Sequence, residues 1–223
     1  LLARHGTLMA AVGMDGVRSY TAPALLPDRS DVARRQAELW GNPRRRIAVA
    51  RRMYALRLGE ILPHRDLDTL RGIEGSRVKT LYRLTAERYR IPWNGRHYDR
   101  AAPEATDTPN QAINHAATAV QAAAAIAVQS LAAIPQLGFI HEDSGQSFVL
   151  DIADLFRDSI TLPIAFAAAR KALDGAPDTI DRLVRREAAA VFRKQSVIPT
   201  MIDKIKAVLR MEEVDAAGGD SDA

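Results

Sequence analysis

Glu74 is a carboxylate on the wrong face. The stretch from Asp68 to Tyr89 is patterned as an amphipathic helix. With about 100° between successive residues and Leu70 as origin, Leu81 falls at about 20°, Leu84 at about −40° and Glu74 at about 40°, inside the apolar stripe. An acid that faces a core is costly unless it is paired or bound to a metal. Arg77, one turn further on the same face, offers an ion pair; the other reading is a metal ligand. Gly72 and Gly75 flank Glu74. Each weakens the helix by about 1 kcal/mol against Ala, and each leaves bare backbone that a ligand or another chain can approach closely.

A second acidic group lies in the segment from Ser147 to Leu173, which reads as one helix. Asp151, Asp154 and Asp158 fall at about 0°, −60° and −20°, one edge of that helix. Three acids on one edge repel one another unless a cation sits among them. The plainer readings are a solvated edge and, for Asp151, a first-turn acid favoured by the helix dipole. His141 follows the apolar run Leu137 to Ile140 and precedes this helix. It is either a structural histidine or a third ligand beside Glu74 and Asp154. Two carboxylates and an imidazole make a hard, oxygen-rich set that suits Mg²⁺ or Mn²⁺ better than Zn²⁺, the imidazole tilting it toward Mn²⁺. Spacing alone does not bring the three side chains together.

Basic residues form a separate signal. The chain is 26% charged, and 26 of its 31 basic residues are arginine, whose planar fork grips phosphate with two parallel bonds. Eight arginines and one acid, Glu38, lie between Arg34 and Arg57. On the helix after Pro43, the residues Arg44, Arg45, Arg51 and Arg52 share an arc of about 120°. That arc is either an electrostatic footprint for nucleic acid or a solvated face.

The elements that must position these groups are mainly helical. The chain has 223 residues, enough for a sizeable core. Gly6 to Val12 and Val17 to Thr21, joined by Asp15-Gly16, read as a β-hairpin. A hairpin does not hold itself in water, so residues 1–22 read as the remnant of an N-terminal β domain. Residues 23–30, with Pro23 and Pro27, read as a linker. Residues 31–210 read as an all-α domain. Asp31 is expected to cap one helix, and Asn42-Pro43 to start the next. An Ala-rich helix is expected before Pro135, with two helices beyond residue 178. Residues 211–223 read as an acidic disordered tail. The run Thr108 to Ile140 lacks Lys, Arg, Asp and Glu, but its Ala, Gln and Asn content marks a buried helix and not a membrane span. With no cysteine there is neither a disulfide framework nor a thiolate metal site, which fits a cytoplasmic setting.

Four segments in register carry a resemblance. Arg71-Gly72-Ile73-Glu74-Gly75-Ser76-Arg77, Trp93-Asn94-Gly95-Arg96-His97-Tyr98-Asp99, Gly138-Phe139-Ile140-His141 and Asp151-Ile152-Ala153-Asp154 together resemble the CRISPR-associated adaptation endonuclease, the spacer-acquisition integrase, in its type I-E branch. The likeness runs along nearly the whole chain. It implies a β-rich N-terminal domain, of which the last hairpin is present here, and an all-α catalytic domain. It implies that Glu74, His141 and Asp154 are metal ligands, with Asp151 a further acid of the site. It puts Arg18, Arg71, Arg77, Arg157 and Tyr98 near DNA. It implies an enzyme that inserts foreign DNA into a CRISPR array by attack of a 3′-hydroxyl on a repeat phosphodiester. The partners implied are double-stranded DNA (protospacer and repeat), a second copy in a homodimer and a small partner protein. Glu142, Asp143 and Ser144 depart from the family's loop after the histidine, where a basic residue helps read the incoming DNA. The competing expectation is a non-catalytic helical DNA-binding module.

Overall fold

The computed structural model describes residues 30–60, 66–97 and 106–210. The expected hairpin with Arg18, residues 23–29 of the linker, Tyr98 and the acidic tail lie outside the described residues. Within them, the chain is a bundle of α-helices: α1 (Asp31–Gly41), α2 (Pro43–Leu58), α3 (Leu67–Arg88), α4 (Thr108–Ser130), α5 (Ser147–Asp154), α6 (Leu162–Leu173), α7 (Ile180–Lys194) and α8 (Val197–Leu209). A π-helical turn, Arg157–Thr161, leads into α6. The mainly helical expectation for this part of the chain holds.

Side-chain caps fix where three of the helices begin. The Asn42 side chain accepts the backbone N–H groups of Arg44 and Arg45 at 3.0 and 3.2 Å, with Pro43 in the first turn of α2. Asp66 caps α3 through the Thr69 N–H at 2.8 Å, and Asp107 caps α4 through the Asn110 N–H at 3.0 Å. Each cap satisfies a donor that the helix itself leaves open. Asp31 differs from expectation. It lies inside the first turn of α1, where it complements the helix dipole, and residue Ser30 precedes the helix without a side-chain cap. Gly59 ends α2 in the left-handed region, φ 74°, returning its N–H to the Ala55 carbonyl.

Helix α4 is the axis of the bundle. Its Ala112, Ala116, Ala123, Ala124 and Ala127 are buried, and these small side chains let α5, α6, α7 and α8 all pack against it. Phe166 and Ile164 of α6, Leu183 of α7 and Ile205 and Leu209 of α8 fill the core around that axis. No helix among the described residues is long and apolar enough to cross a membrane. Helix α3, which carries Glu74, sits at the margin, against α2 and α6. Its Leu70 and Tyr54 of α2 form a small second core with Leu67, Ile73 and Ile140 at its edge.

The single helix expected from Ser147 to Leu173 is broken. Helix α5 stops at Asp154, and the chain resumes as a π-helical turn before α6. Pro163 accounts for the π-helical turn. It has no N–H, and its ring crowds the carbonyl four residues earlier, so the backbone must widen ahead of it. Asp154 and Asp158 still face a common cation, Arg57, while Asp151 is fully buried, so the expected edge of three acids is reduced to two.

Candidate active site

His141 is held from several directions. Asp151 is fully buried. It accepts the backbone N–H groups of Phe139, Ile140 and His141 at 2.6, 3.1 and 2.9 Å. Its Oδ1 also lies 2.7 Å from His141 Nδ1. An ionised carboxylate there requires Nδ1 to donate, which leaves Nε2 as the free nitrogen of the ring. The Asp151 hydrogen bond raises the His141 pKa; burial opposes this and the nearby Asp154 carboxylate adds to it. From the other side of the loop, the buried Gln36 donates to the carbonyls of Ile134 and Leu137, both at 2.9 Å, and accepts the Ile134 N–H. The Trp40 indole donates to the Gly138 carbonyl at 2.9 Å. Gly138 has no room for a side chain. A Cβ there would lie 2.4 Å from the His141 carbonyl oxygen and 2.6 Å from the Ser147 Cβ.

Asp151 thus corrects the expectation that it belongs to an exposed acidic edge with Asp154. It points inward and orients His141, a positioning role distinct from contact with a substrate.

Glu74 and Asp154 meet across Arg57. The Arg57 side chain is 4% exposed, a buried cation that needs compensating charge. Its Nη1 donates to Glu74 Oε1 and lies 3.9 Å from Asp154 Oδ2. Its Nη2 lies 3.8 Å from Asp158 Oδ1. His141 Nε2 lies 4.0 Å from Asp154 Oδ2, and Arg157 donates to Asp154 Oδ1. Asp154 at the end of α5 thus stands between His141 of the preceding loop and the Arg57–Glu74 pair contributed by α2 and α3. The Glu74–Arg77 ion pair considered from sequence does not form; Arg77 pairs with Glu60 instead. Burial raises the Asp158 pKa, and Arg57 and Arg157 offset it in part. Burial likewise pushes the Tyr54 phenol up, and the charge of Glu74 beside it adds to the shift.

Glu74, His141 and Asp154 suit a hard divalent ion in donor type, and the Asp151–His141 pair presents Nε2 in the form a metal takes. No group of three or more His, Asp or Glu among the described residues is already drawn together as a metal shell. The Arg57 guanidinium supplies the counter-charge there, so an ion entering between Glu74 and Asp154 has to displace it.

The basic residues divide. Arg44 and Arg45 are exposed on α2, and Arg45 pairs with Glu38. Arg51 and Arg52 are partly buried, and Arg52 donates to the Val208 carbonyl at the end of α8. The four arginines are therefore not one uniform solvent-facing arc. The helix packs on α8 through part of it. Arg71 donates to the Ile140 carbonyl at 2.6 Å, tying α3 to the loop that carries His141. Arg157 lines a cleft of about 100 Å³ with Asp154, Tyr82, Arg96 and Gln121. Arg96 itself donates to Asn110 and Asn114 of α4, and Trp93 stacks on Tyr82 at 5.4 Å. The Trp93–Arg96 motif pins its own loop across the bundle.

Sequence patterning missed Arg57. Its one signal was a position in the last turn of α2, two residues before the Gly59 cap, where nothing distinguishes it from its basic neighbours. Gln36 was also missed. A polar residue in line with Val32 and Leu39 on α1 was the available hint.

The family model described as "CRISPR associated protein Cas1" matches residues 33–178. The CRISPR-associated endonuclease Cas1 of Escherichia coli strain K12 is 38% identical over 224 residues, covering 100% of this chain and 72% of that protein. The CRISPR-associated endonuclease Cas1 of Geobacter sulfurreducens is 36% identical over 220 residues, covering 98% of this chain and 69% of that protein. Among solved structures, the fold is similar to one described as "Crystal structure of TtCas1-DNA complex", with a TM-score of 0.79 and 32% identity over 94% of this chain and 77% of that one.

Proposed function

Because this chain belongs to the Cas1 family of CRISPR-associated proteins, we propose that it is a metal-dependent DNA endonuclease and integrase that inserts foreign DNA into a CRISPR array. The observation that carries this reading is convergence. Side chains from three separate segments are linked through Asp154: His141 Nε2 lies 4.0 Å from Asp154 Oδ2, and Arg57 bridges Asp154 to Glu74.

Glu74, His141 and Asp154 would hold the cation, Mg²⁺ or Mn²⁺. When bound, it supplies Lewis-acid polarisation of a phosphodiester and neutralises developing charge on its oxygens. Asp151 keeps the His141 Nδ1–H engaged, which leaves Nε2 available as the ligand atom. A DNA 3′-hydroxyl attacks the repeat phosphorus; one P–O bond forms, the P–O bond to the leaving 3′-oxygen breaks, the attacking hydroxyl's proton passes to solvent and the leaving oxygen takes one from solvent. With water in place of the hydroxyl, the same displacement is hydrolysis. Arg157 and Arg71 flank the centre, and Arg44 and Arg45 on α2 contact the DNA backbone without reading sequence. Arg77 is assigned to the same backbone contact. The protein works as a homodimer with a small partner protein.

A strand-transfer assay on a repeat-bearing plasmid tests this, with the full-length protein, its partner protein and Mn²⁺. Glu74→Ala and Asp154→Ala should abolish transfer and leave DNA binding largely intact. Turnover at the unmutated rate in either variant refutes the metal role.

A further inference from the structure

The centre already contains a cation. Arg57 is buried among three carboxylates, yet only one edge of its guanidinium is committed, Nη1 to Glu74. Its Nε and Nη2 are buried without a hydrogen-bond partner, and so is Asp158 Oδ1. That oxygen lies 3.8 Å from Nη2. An unfilled donor and an unfilled acceptor therefore face each other across a gap that a small rotation of the guanidinium closes. Buried polar groups left unmade are costly, so an arrangement that leaves both open invites a second one that pairs them.

The second arrangement follows from the geometry of a bound ion. A divalent cation of this class sits about 2.0–2.2 Å from each oxygen donor. Nη1 cannot stay against Glu74 Oε1 and 3.9 Å from Asp154 Oδ2 while such an ion joins the two carboxylates. The guanidinium is too buried to be expelled to solvent without leaving its charge uncompensated on the way.

We propose that Arg57 is the resident counter-ion of the metal-free centre and that Asp158 receives its guanidinium when a divalent cation binds Glu74 and Asp154. The proposal rests on the metal-centre reading above. In the metal-free state, Arg57 keeps two acids from repelling each other. In the metal-bound state, the Arg57–Asp158 pair holds the displaced charge a few ångströms away, ready to return. Both are positioning residues. Arg57 competes with the ion and so sets how much of it the centre needs; Asp158 lowers the cost of the exchange by giving the guanidinium a destination.

The test is a Mn²⁺ titration of the full-length protein, reading free Mn²⁺ by electron paramagnetic resonance, for the unmutated chain, Asp158→Asn, Arg57→Gln and the double variant. Asp158→Asn should weaken Mn²⁺ binding on the order of tenfold, and Arg57→Gln should tighten it on the order of tenfold. The deciding result is their coupling. In the Arg57→Gln background, Asp158→Asn should change affinity by less than about twofold, because no guanidinium is left to receive. An equal weakening in both backgrounds means that Asp158 acts only through its field, and overturns the exchange. So does an Arg57→Gln protein with unchanged affinity. If Arg57→Gln does not fold, Arg57→Lys replaces it. An ammonium lacks the two-edged fork, so its coupling to Asp158 must shrink, and undiminished coupling overturns the proposal. Failure of the unmutated protein to bind Mn²⁺ at all removes the metal centre itself. That outcome is seen before any variant is made, which separates it from failure of the exchange.

Discussion

Asp151 and His141 are joined twice: the Asp151 Oδ1 atom accepts the His141 backbone N–H at 2.9 Å and lies 2.7 Å from its ring Nδ1. One buried carboxylate thereby fixes both where the histidine stands and which way its ring faces. The Phe139 and Ile140 N–H groups complete the carboxylate's shell.

Asp151→Asn should therefore damage the fold as well as the site. The amide cannot accept three N–H groups and the ring without turning an NH₂ toward a donor. A loss of about 2–4 kcal/mol in urea unfolding is expected. Strand transfer should fall with it, even under conditions where the variant is folded. A variant as stable as the unmutated protein would show that the shell does not depend on the carboxylate.

The same pair makes stability depend on pH. The folded His141 pKa is raised, first by the Asp151 hydrogen bond, above the ordinary value of about 6.5. A raised folded value means that the folded state binds the proton more tightly. The stabilisation is fully present below the unfolded pKa and is lost as pH rises through the folded one. In metal-free protein, the His141 ring resonances should titrate above the ordinary midpoint by NMR, and the raised midpoint should disappear in Asp151→Asn. A midpoint at or below the ordinary value would contradict the geometry.

Gly138→Ala tests the loop itself. The added methyl would meet the His141 carbonyl and Ser147 backbone, neither of which can swing aside. A cost of about 1–3 kcal/mol is expected, with lower thermal stability measured by calorimetry. Gly72 and Gly75 predict the reverse. A Cβ at either meets nothing within 4 Å, so Gly→Ala should stabilise α3 by up to about 1 kcal/mol at each position. Strand transfer should drop if DNA approaches this bare backbone, and calorimetry with the plasmid assay reads both effects together.

The arginines of α2 should separate by role. Charge reversal at Arg44 and Arg45, both exposed, should weaken DNA binding and flatten its dependence on salt. The log–log slope should fall by about 1 for each phosphate that is no longer neutralised. Arg52→Glu should instead lower stability by about 1–3 kcal/mol, because it strips a charged donor from the Val208 carbonyl. Equal salt slopes in the unmutated and Arg44/Arg45 variants would mark this face as merely solvated.

The helical class, the start of α2 at Asn42-Pro43 and the oddity of Glu74 within an apolar stripe are legible in the order of the residues alone. Those are local matters: a capping side chain reaches two or three residues, and amphipathic phase is visible within one helix. The sequence also carried the four linked motifs through which the family was legible. Which acids turn inward is set by packing between segments. Asp151 and Asp154 lie three residues apart on one short helix, yet one is sealed under the His141 loop and the other faces Arg57. Asp158, beyond the end of α5, still joins Asp154 beside Arg57. The burial of Arg57 was not legible at all, because what makes that arginine different from its neighbours is the company of Glu74, Asp154 and Asp158, residues 17, 97 and 101 positions away. A pattern read along one helix carries no information about charges that another helix delivers, and a buried guanidinium is defined by those alone.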